Sequence, residues 1–368
     1  MRVPYNYLPM QFADPRSIIR DWEELIFSTE FTLGPVMEAF EEKFAQFVGM
    51  RHCIATNNGT DALTLAFKSI GLCEGDEAIT VCNTFYATVG AIVCCGATPV
   101  FVDSDDRFQI DVSKIEQAIT KRTKVIVPVH WAGASPDMNA IVEIAARTGL
   151  TVVEDACMGI GGSIAGSSPG TFGALGAYSM HPLKSLNVMG DGGMVVTNDD
   201  GLAAWMRKYR NHGMVDRDHI DFWGVNMRLQ PLQAVVASQG LDVLRGIIVK
   251  RCENASRLDY GLSKVTPHVT IPPRLAGHVE TYALYMALFD DRDKLLVHLS
   301  EHGIEAKIHY PIPLHLQNAA KPLGYKLGDF PVAEFQASHL ITLPVHQFLE
   351  DQQLDFMLSK ICEFYGKK

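Results

Sequence analysis

The sequence predicts an α/β protein: a large domain on a mostly parallel sheet flanked by helices, followed by a smaller C-terminal α+β domain. Three observations lead there. At 368 residues the chain exceeds the size at which one hydrophobic core usually stops growing. From about residue 50 to 200, short β-branched runs alternate with helical stretches closed by glycine, the rhythm of a parallel sheet covered on both faces. Beyond about residue 245 that rhythm ends, which divides the chain into 1–245 and 246–368.

The elements follow in order. "DPRSIIRDWEELIFS" (14–28) reads as a helix with Asp14 as N-cap and Pro15 at its first position, where a missing N–H is harmless. "GPVMEAFEEKFAQFVG" repeats the device, with Pro35 near its start and Gly49 just past its end. "HCIAT" (52–56), "EAITV" (77–81), "TPVFV" (98–102), "KVIVPVH" (124–130) and "LTVVED" (150–155) are the strand patterns. Helices are expected between most of them, over 62–70, 86–95 and 136–148, each followed by glycine. A long helix begins near Pro231. The second domain is expected to hold a strand within 280–289, a helix in "DRDKLLVHLSEHG", a short strand from Ala306 to His309 and a closing helix from Asp351.

Composition narrows the function. A net charge of −10 excludes a nucleic acid or anionic membrane as the main partner, because phosphate-rich surfaces require concentrated Lys and Arg. The eight cysteines include no C-x-x-C pair and no His/Cys ladder, so reduced thiols and no metal are expected. No apolar run reaches the roughly 18 residues a membrane span needs, and "MRVPYNYLPMQFADPR" has no export-signal pattern. The expected location is the cytoplasm.

Ligands of such sheets gather at the carboxyl ends of the strands, and four features fall there. "NNGTDAL" (57–63) opens a helix after the first strand: the N–H groups of Gly59 and Thr60 either cradle a phosphate or belong to a plain helix cap. Phe85 and Tyr86 open the next helix, to stack on a flat ring or to fill the core. Glu154 and Asp155 end an apolar strand and point to opposite sides, so one carboxylate faces a given site. That carboxylate meets a functional cation or a structural one such as Arg210. Lys184 lies between two strand patterns, after Ser179 and His181 and before the glycines of "MGDGG". An isolated lysine is usually a solvated surface residue. Phosphate cradle, aromatic, carboxylate and buried lysine together are the parts of a pyridoxal 5'-phosphate site, in which desolvation makes the amine a nucleophile near neutral pH.

The chain resembles the DegT/StrS-type sugar aminotransferases. "FTLGPVMEAFEEKFA", "NGTDAL", "TFYATVGAI", "GATPVFVD", "VIVPVHWAG", "VEDAC", "SMHPLKSLNVMGDGGMVVTND", "YRNHG", "NMRLQPLQA" and "HYPIPLHLQ" are similar to that family's successive blocks in their usual order. The resemblance implies a fold-type-I pyridoxal phosphate-dependent transferase, similar in architecture to aspartate aminotransferase, working as a homodimer with shared active sites. It implies that Lys184 holds the cofactor covalently, Asp155 pairs with the pyridine nitrogen and Phe85 stacks on the ring. Gly59, Thr60, Ser179 and Asn226 from the other subunit would bind the phosphate. His181, Arg228, His309 and Tyr310 would lie near the substrates. One departure stands out: Met158 occupies a position where relatives usually carry Gln or His to hydrogen-bond the cofactor's phenolic oxygen, and a thioether cannot donate.

The implied reaction is a ping-pong transamination from L-glutamate to a keto-sugar. "MHPLKSLNVMGDGG" and "EDACMG" lean towards the subgroup that converts 8-oxo-3-deoxy-octulosonate to 8-amino-3,8-dideoxy-octulosonate for lipopolysaccharide. The alternative acceptor is a nucleotide-linked 3-keto or 4-keto deoxysugar, and a further alternative is a non-enzymatic cofactor-binding regulator. A related dehydratase would carry histidine at the position of Lys184. A nicotinamide-dependent dehydrogenase would need a better glycine fingerprint than "GIGG" (159–162), which follows the fifth strand rather than the first.

Overall fold

The computed structural model describes residues 1–366. A short helical turn (Leu8–Gln11) is followed by two longer helices, α1 (Arg16–Ser28) and α2 (Pro35–Val48). Asp14 does not cap α1 as expected: Pro15 takes the N-cap position, and Asp14 accepts the Arg16 N–H from outside the helix at 3.3 Å. Gly49 closes α2 in the left-handed conformation.

The large sheet is made of β1 (His52–Thr56), β2 (Glu77–Val81), β3 (Thr98–Val102), β4 (Thr123–Val127), β5 (Thr151–Asp155), β6 (Leu175–Ser179) and β7 (Gly193–Thr197). Between them lie α3 (Gly59–Ser69), α4 (Tyr86–Cys94) and α5 (Met138–Thr148). The strand order is β1-β7-β6-β5-β4-β2-β3, parallel throughout except for β7, which runs antiparallel to both neighbours. Alternation along each strand builds a core on each face. Cys53 and Ala55 of β1 meet Phe40 and Phe44 of α2, whereas Ile54 between them meets Leu63 and Phe67 of α3.

Beyond the sheet come α6 (Asp200–Tyr209) and α7 (Pro231–Ser263). Residue 245 falls inside α7, which is continuous: Ala237, Leu241 and Leu244 pack on the large sheet, and Ala255, Leu258 and Leu262 pack in a second core. Contrary to the sequence expectation, α7 is long and apolar enough to cross a membrane by length and composition, and 39% of its apolar window is buried inside the protein. The second core lies against a three-stranded antiparallel sheet of β8 (Val269–Thr270), β9 (Tyr285–Phe289) and β10 (Leu340–Leu343), in the order β10-β9-β8. The helices α8 (Arg292–Glu301), α9 (Pro331–His339) and α10 (Asp351–Phe364) accompany it. Val3 is fully buried in this core, so the first residues of the chain join its last third. The strand expected over 306–309 does not form; Lys307 makes a single bridge to Thr342.

Candidate active site

The reversed strand β7 assembles the site. Gly193, its first residue, pairs with both Thr56 at the end of β1 and Ser179 at the end of β6. It brings two loops distant in sequence side by side. A Cβ on Gly193 would sit 2.3 Å from the Asn58 carbonyl oxygen, so only glycine permits the approach. Asn58 N-caps α3 by accepting the Asp61 N–H at 2.7 Å. A Cβ on Gly59 would lie 2.7 Å from Ser179 Cβ and 3.2 Å from Cys157 Sγ. The start of α3 is therefore pressed against β6, with the positive end of its dipole beside the Ser179 hydroxyl, a suitable place for an anion.

A cavity of about 240 Å³ opens here. Gly59, Thr60, Phe85, Asp155, Ser179, His181, Lys184, His309 and Tyr310 all line it. Asn226 and Arg228 do not. Asn226 is exposed and accepts from Arg228 Nε at 3.1 Å, while Arg228 Nη1 donates to Asn211 at 2.9 Å.

Asp155 and Glu154 do point to opposite sides. Asp155 faces the cavity, where its Oδ2 accepts the Thr88 hydroxyl at 2.7 Å and its Oδ1 accepts the Cys157 N–H at 3.2 Å. Glu154, fully buried, accepts backbone N–H groups from Gly170, Phe172 and Gly173 at 2.6 to 2.8 Å and the Nε2–H of His130 at 2.8 Å. The structural partner suggested by sequence, Arg210, instead pairs with Glu41.

Lys184 sits in the loop between β6 and β7, its carbonyl accepting the Tyr7 hydroxyl at 2.9 Å. Desolvation lowers its amine below the ordinary lysine range, against the opposing pull of Cys157 and Asp155. His309, whose Nδ1 lies 3.0 Å from Thr342 Oγ1, is pushed down to about 4 by burial and then by the charges of Lys184 and Lys307. Burial also raises the Tyr310 phenol. Phe85 remains 42% exposed, 4.5 Å from the Tyr86 ring and 6.0 Å from that of Tyr310, so it is an aromatic wall rather than core packing.

The sequence reading missed Thr88, Tyr5, Tyr7, Arg251 and His346, all at the cavity or its carboxylate. A threonine in a helix or a tyrosine near a terminus carries no signal of its own. Met158 lines the cavity and uses only its backbone carbonyl, which accepts from Thr281 at 2.6 Å. Trp131 lines the same cavity, its indole N–H buried without a partner among the described residues.

These residues fit pyridoxal phosphate. The cradle that a Gly59 side chain would fill accommodates the phosphate, Asp155 matches the ring nitrogen, Phe85 matches the ring face, and the depressed amine of Lys184 matches the carbonyl.

Comparison with known proteins agrees. The model of the DegT/DnrJ/EryC1/StrS aminotransferase family matches residues 14–362. A "Pleiotropic regulatory protein" of Geobacillus stearothermophilus is 38% identical over 99% of both chains. The UDP-2-acetamido-2-deoxy-3-oxo-D-glucuronate aminotransferase of Pseudomonas aeruginosa is 35% identical over 90% of this chain and 91% of that one. The crystal structure of a DegT DnrJ EryC1 StrS aminotransferase from Brucella abortus superposes with a TM-score of 0.95 at 34% identity, covering 100% of both chains. The chain belongs to the DegT/DnrJ/EryC1/StrS aminotransferase family and is a pyridoxal phosphate-dependent sugar aminotransferase.

Proposed function

We propose that the protein moves the amino group of L-glutamate to the keto carbon of a nucleotide-linked sugar, and that two copies of the chain share their pockets. The observation that carries the chemistry is Lys184, an amine held below its ordinary range in the same cavity as Asp155 and the α3 N-terminus.

Bound pyridoxal phosphate supplies a carbonyl for amines and an electron sink that acidifies the carbon beside the nitrogen. The chain's residues do the rest. With the cofactor bound, Nζ of Lys184 would carry the proton from the donor's α-carbon to the cofactor's carbonyl carbon and, in the second half-reaction, from that carbon to the acceptor's former keto carbon, which requires a neutral amine. Asp155, fixed by Thr88, holds the opposing positive charge in place. Phe85 and Tyr310 form an aromatic wall of the cavity, with the Tyr86 ring packed against both.

The nucleotide-linked acceptor is favoured over a free octulosonate because the Pseudomonas relative is named for a UDP-linked keto-sugar. The name of the Geobacillus relative supports the regulator reading; the depressed lysine facing a carboxylate argues for turnover instead. Asn226, exposed, and Arg228, partly buried, lie outside this chain's own cavity, which is consistent with a role in a partner's pocket.

The test is to incubate purified protein and L-glutamate with nucleotide-linked 3-keto and 4-keto sugars and with 8-oxo-3-deoxy-octulosonate, reading product mass. Amination of a nucleotide sugar is expected, and Lys184→Ala should abolish it. Exclusive amination of the octulosonate would reverse the acceptor assignment, and no amination at all would favour the regulator.

A further inference from the structure

Three arginines are buried to less than a tenth of their surface: Arg107, Arg210 and Arg251. Two have carboxylate partners. Arg107 pairs with Glu280 at 3.1 Å, and Arg210 pairs with Glu41. Arg251, only 1% exposed, has no carboxylate within 4.0 Å among the described residues. Its Nε donates to Gln347 Oε1 and its Nη1 to the Tyr282 carbonyl, both at 3.1 Å. Among the described residues Nη2 has no acceptor, and neither has Nε2 of Gln347. The guanidinium lies over the Tyr7 ring, 5.1 Å from its centroid. Tyr7 in turn reaches the Lys184 carbonyl, and Arg251, Tyr7 and Lys184 line the same cavity.

Removing a cation from water without a counter-ion is strongly unfavourable. The unpaired donor on the Gln347 amide, whose oxygen already accepts from Arg251 Nε, adds to that. An arriving oxyanion relieves both, and a carboxylate offers one oxygen to each donor.

We propose that Arg251, assisted by the Gln347 amide, is a subsite for a substrate carboxylate, borne by the amino donor or by an acidic sugar. The assignment rests on the aminotransferase reading of the cavity. It goes beyond it by naming a cation that neither cofactor attachment nor the phosphate cradle uses.

The test is calorimetric titration of the holoenzyme with glutarate, a dicarboxylate without the amine, and separately with D-glucuronate. Binding of one of them to the wild type is expected, weakened about tenfold or more in Arg251→Gln and partly restored in Arg251→Lys, with the cofactor's absorbance unchanged. Glutarate binding points to the donor and glucuronate binding to the acceptor. If Arg251→Gln fails to fold, Arg251→Lys and Gln347→Leu decide, each expected to weaken binding. The proposal is overturned if neither probe binds the wild type, or if the folded variants bind as the wild type does. The absorbance change of the wild-type cofactor on adding L-glutamate tests the aminotransferase reading independently of these titrations.

Discussion

Thr88 donates its hydroxyl to Oδ2 of Asp155 across 2.7 Å, and both residues are buried. The bond runs from the first turn of α4 to the last residue of β5, and so it fixes the cavity carboxylate proposed to pair with the cofactor's ring. Thr88→Val removes the donor at nearly constant volume. We expect it to weaken cofactor retention about tenfold or more, as the loss of a hydrogen bond to a charged group does, and Thr88→Ser to restore it. Cofactor absorbance after dialysis measures this; full retention by the valine variant would show that other contacts orient Asp155.

Glu154 is the structural counterpart of Asp155. Its two oxygens accept three backbone N–H groups and the His130 ring, so Glu154→Gln turns a donor amide towards groups that are themselves donors. The expected loss is about 3 kcal/mol or more in urea unfolding of the holoenzyme. A change below about 0.5 kcal/mol would mean that the loop over 168–173 rearranges freely around the amide.

Gly59→Ala tests the cradle. The added methyl would meet Ser179 Cβ at 2.7 Å, closer than real Cβ atoms approach, so the start of α3 must move off β6. We expect about 1–3 kcal/mol of destabilisation together with a weaker grip on phosphate, read as faster loss of cofactor at low phosphate concentration. Unchanged cofactor affinity would place the phosphate elsewhere.

Stability should fall in mild acid. His309 and His346 are each held down to about 4 in the folded protein, chiefly by burial, against an ordinary value of 6.5. Between those values the unfolded chain binds protons that the native protein does not. Their contribution is therefore complete above pH 6.5 and is lost as the pH falls from 6.5 towards 4, by on the order of a few kcal/mol for the pair. Urea midpoints at pH 7.5, 6 and 5 should decline in that order, and the decline should flatten in a His309→Gln, His346→Gln double variant. An equally steep decline in that variant would assign the acid sensitivity to other groups.

The order of elements was readable because it depends on local patterns. Glycine-closed helices and β-branched runs place β1 to β5 within one residue of their observed ends, apart from the run over 124–130, which stops at Val127. Asp155 drew attention as a carboxylate at the end of an apolar run, and Lys184 as a lysine between two strand patterns rather than on an amphipathic helix; both line the cavity. Pairing was not readable. No local feature says that β7 inserts backwards between β1 and β6, yet that insertion presses Gly59 against Ser179. Nor does the sequence around Tyr7 or Arg251 show that residues from the chain's beginning and last third meet at one cavity with Lys184. The sequence by itself determined the helices, the strands and the chemical parts of the site, because those follow from side-chain type and spacing along the chain. Only the tertiary structure decided which carboxylate faces the lysine and which arginine remains without a counter-ion, because both depend on contacts between segments far apart in the chain.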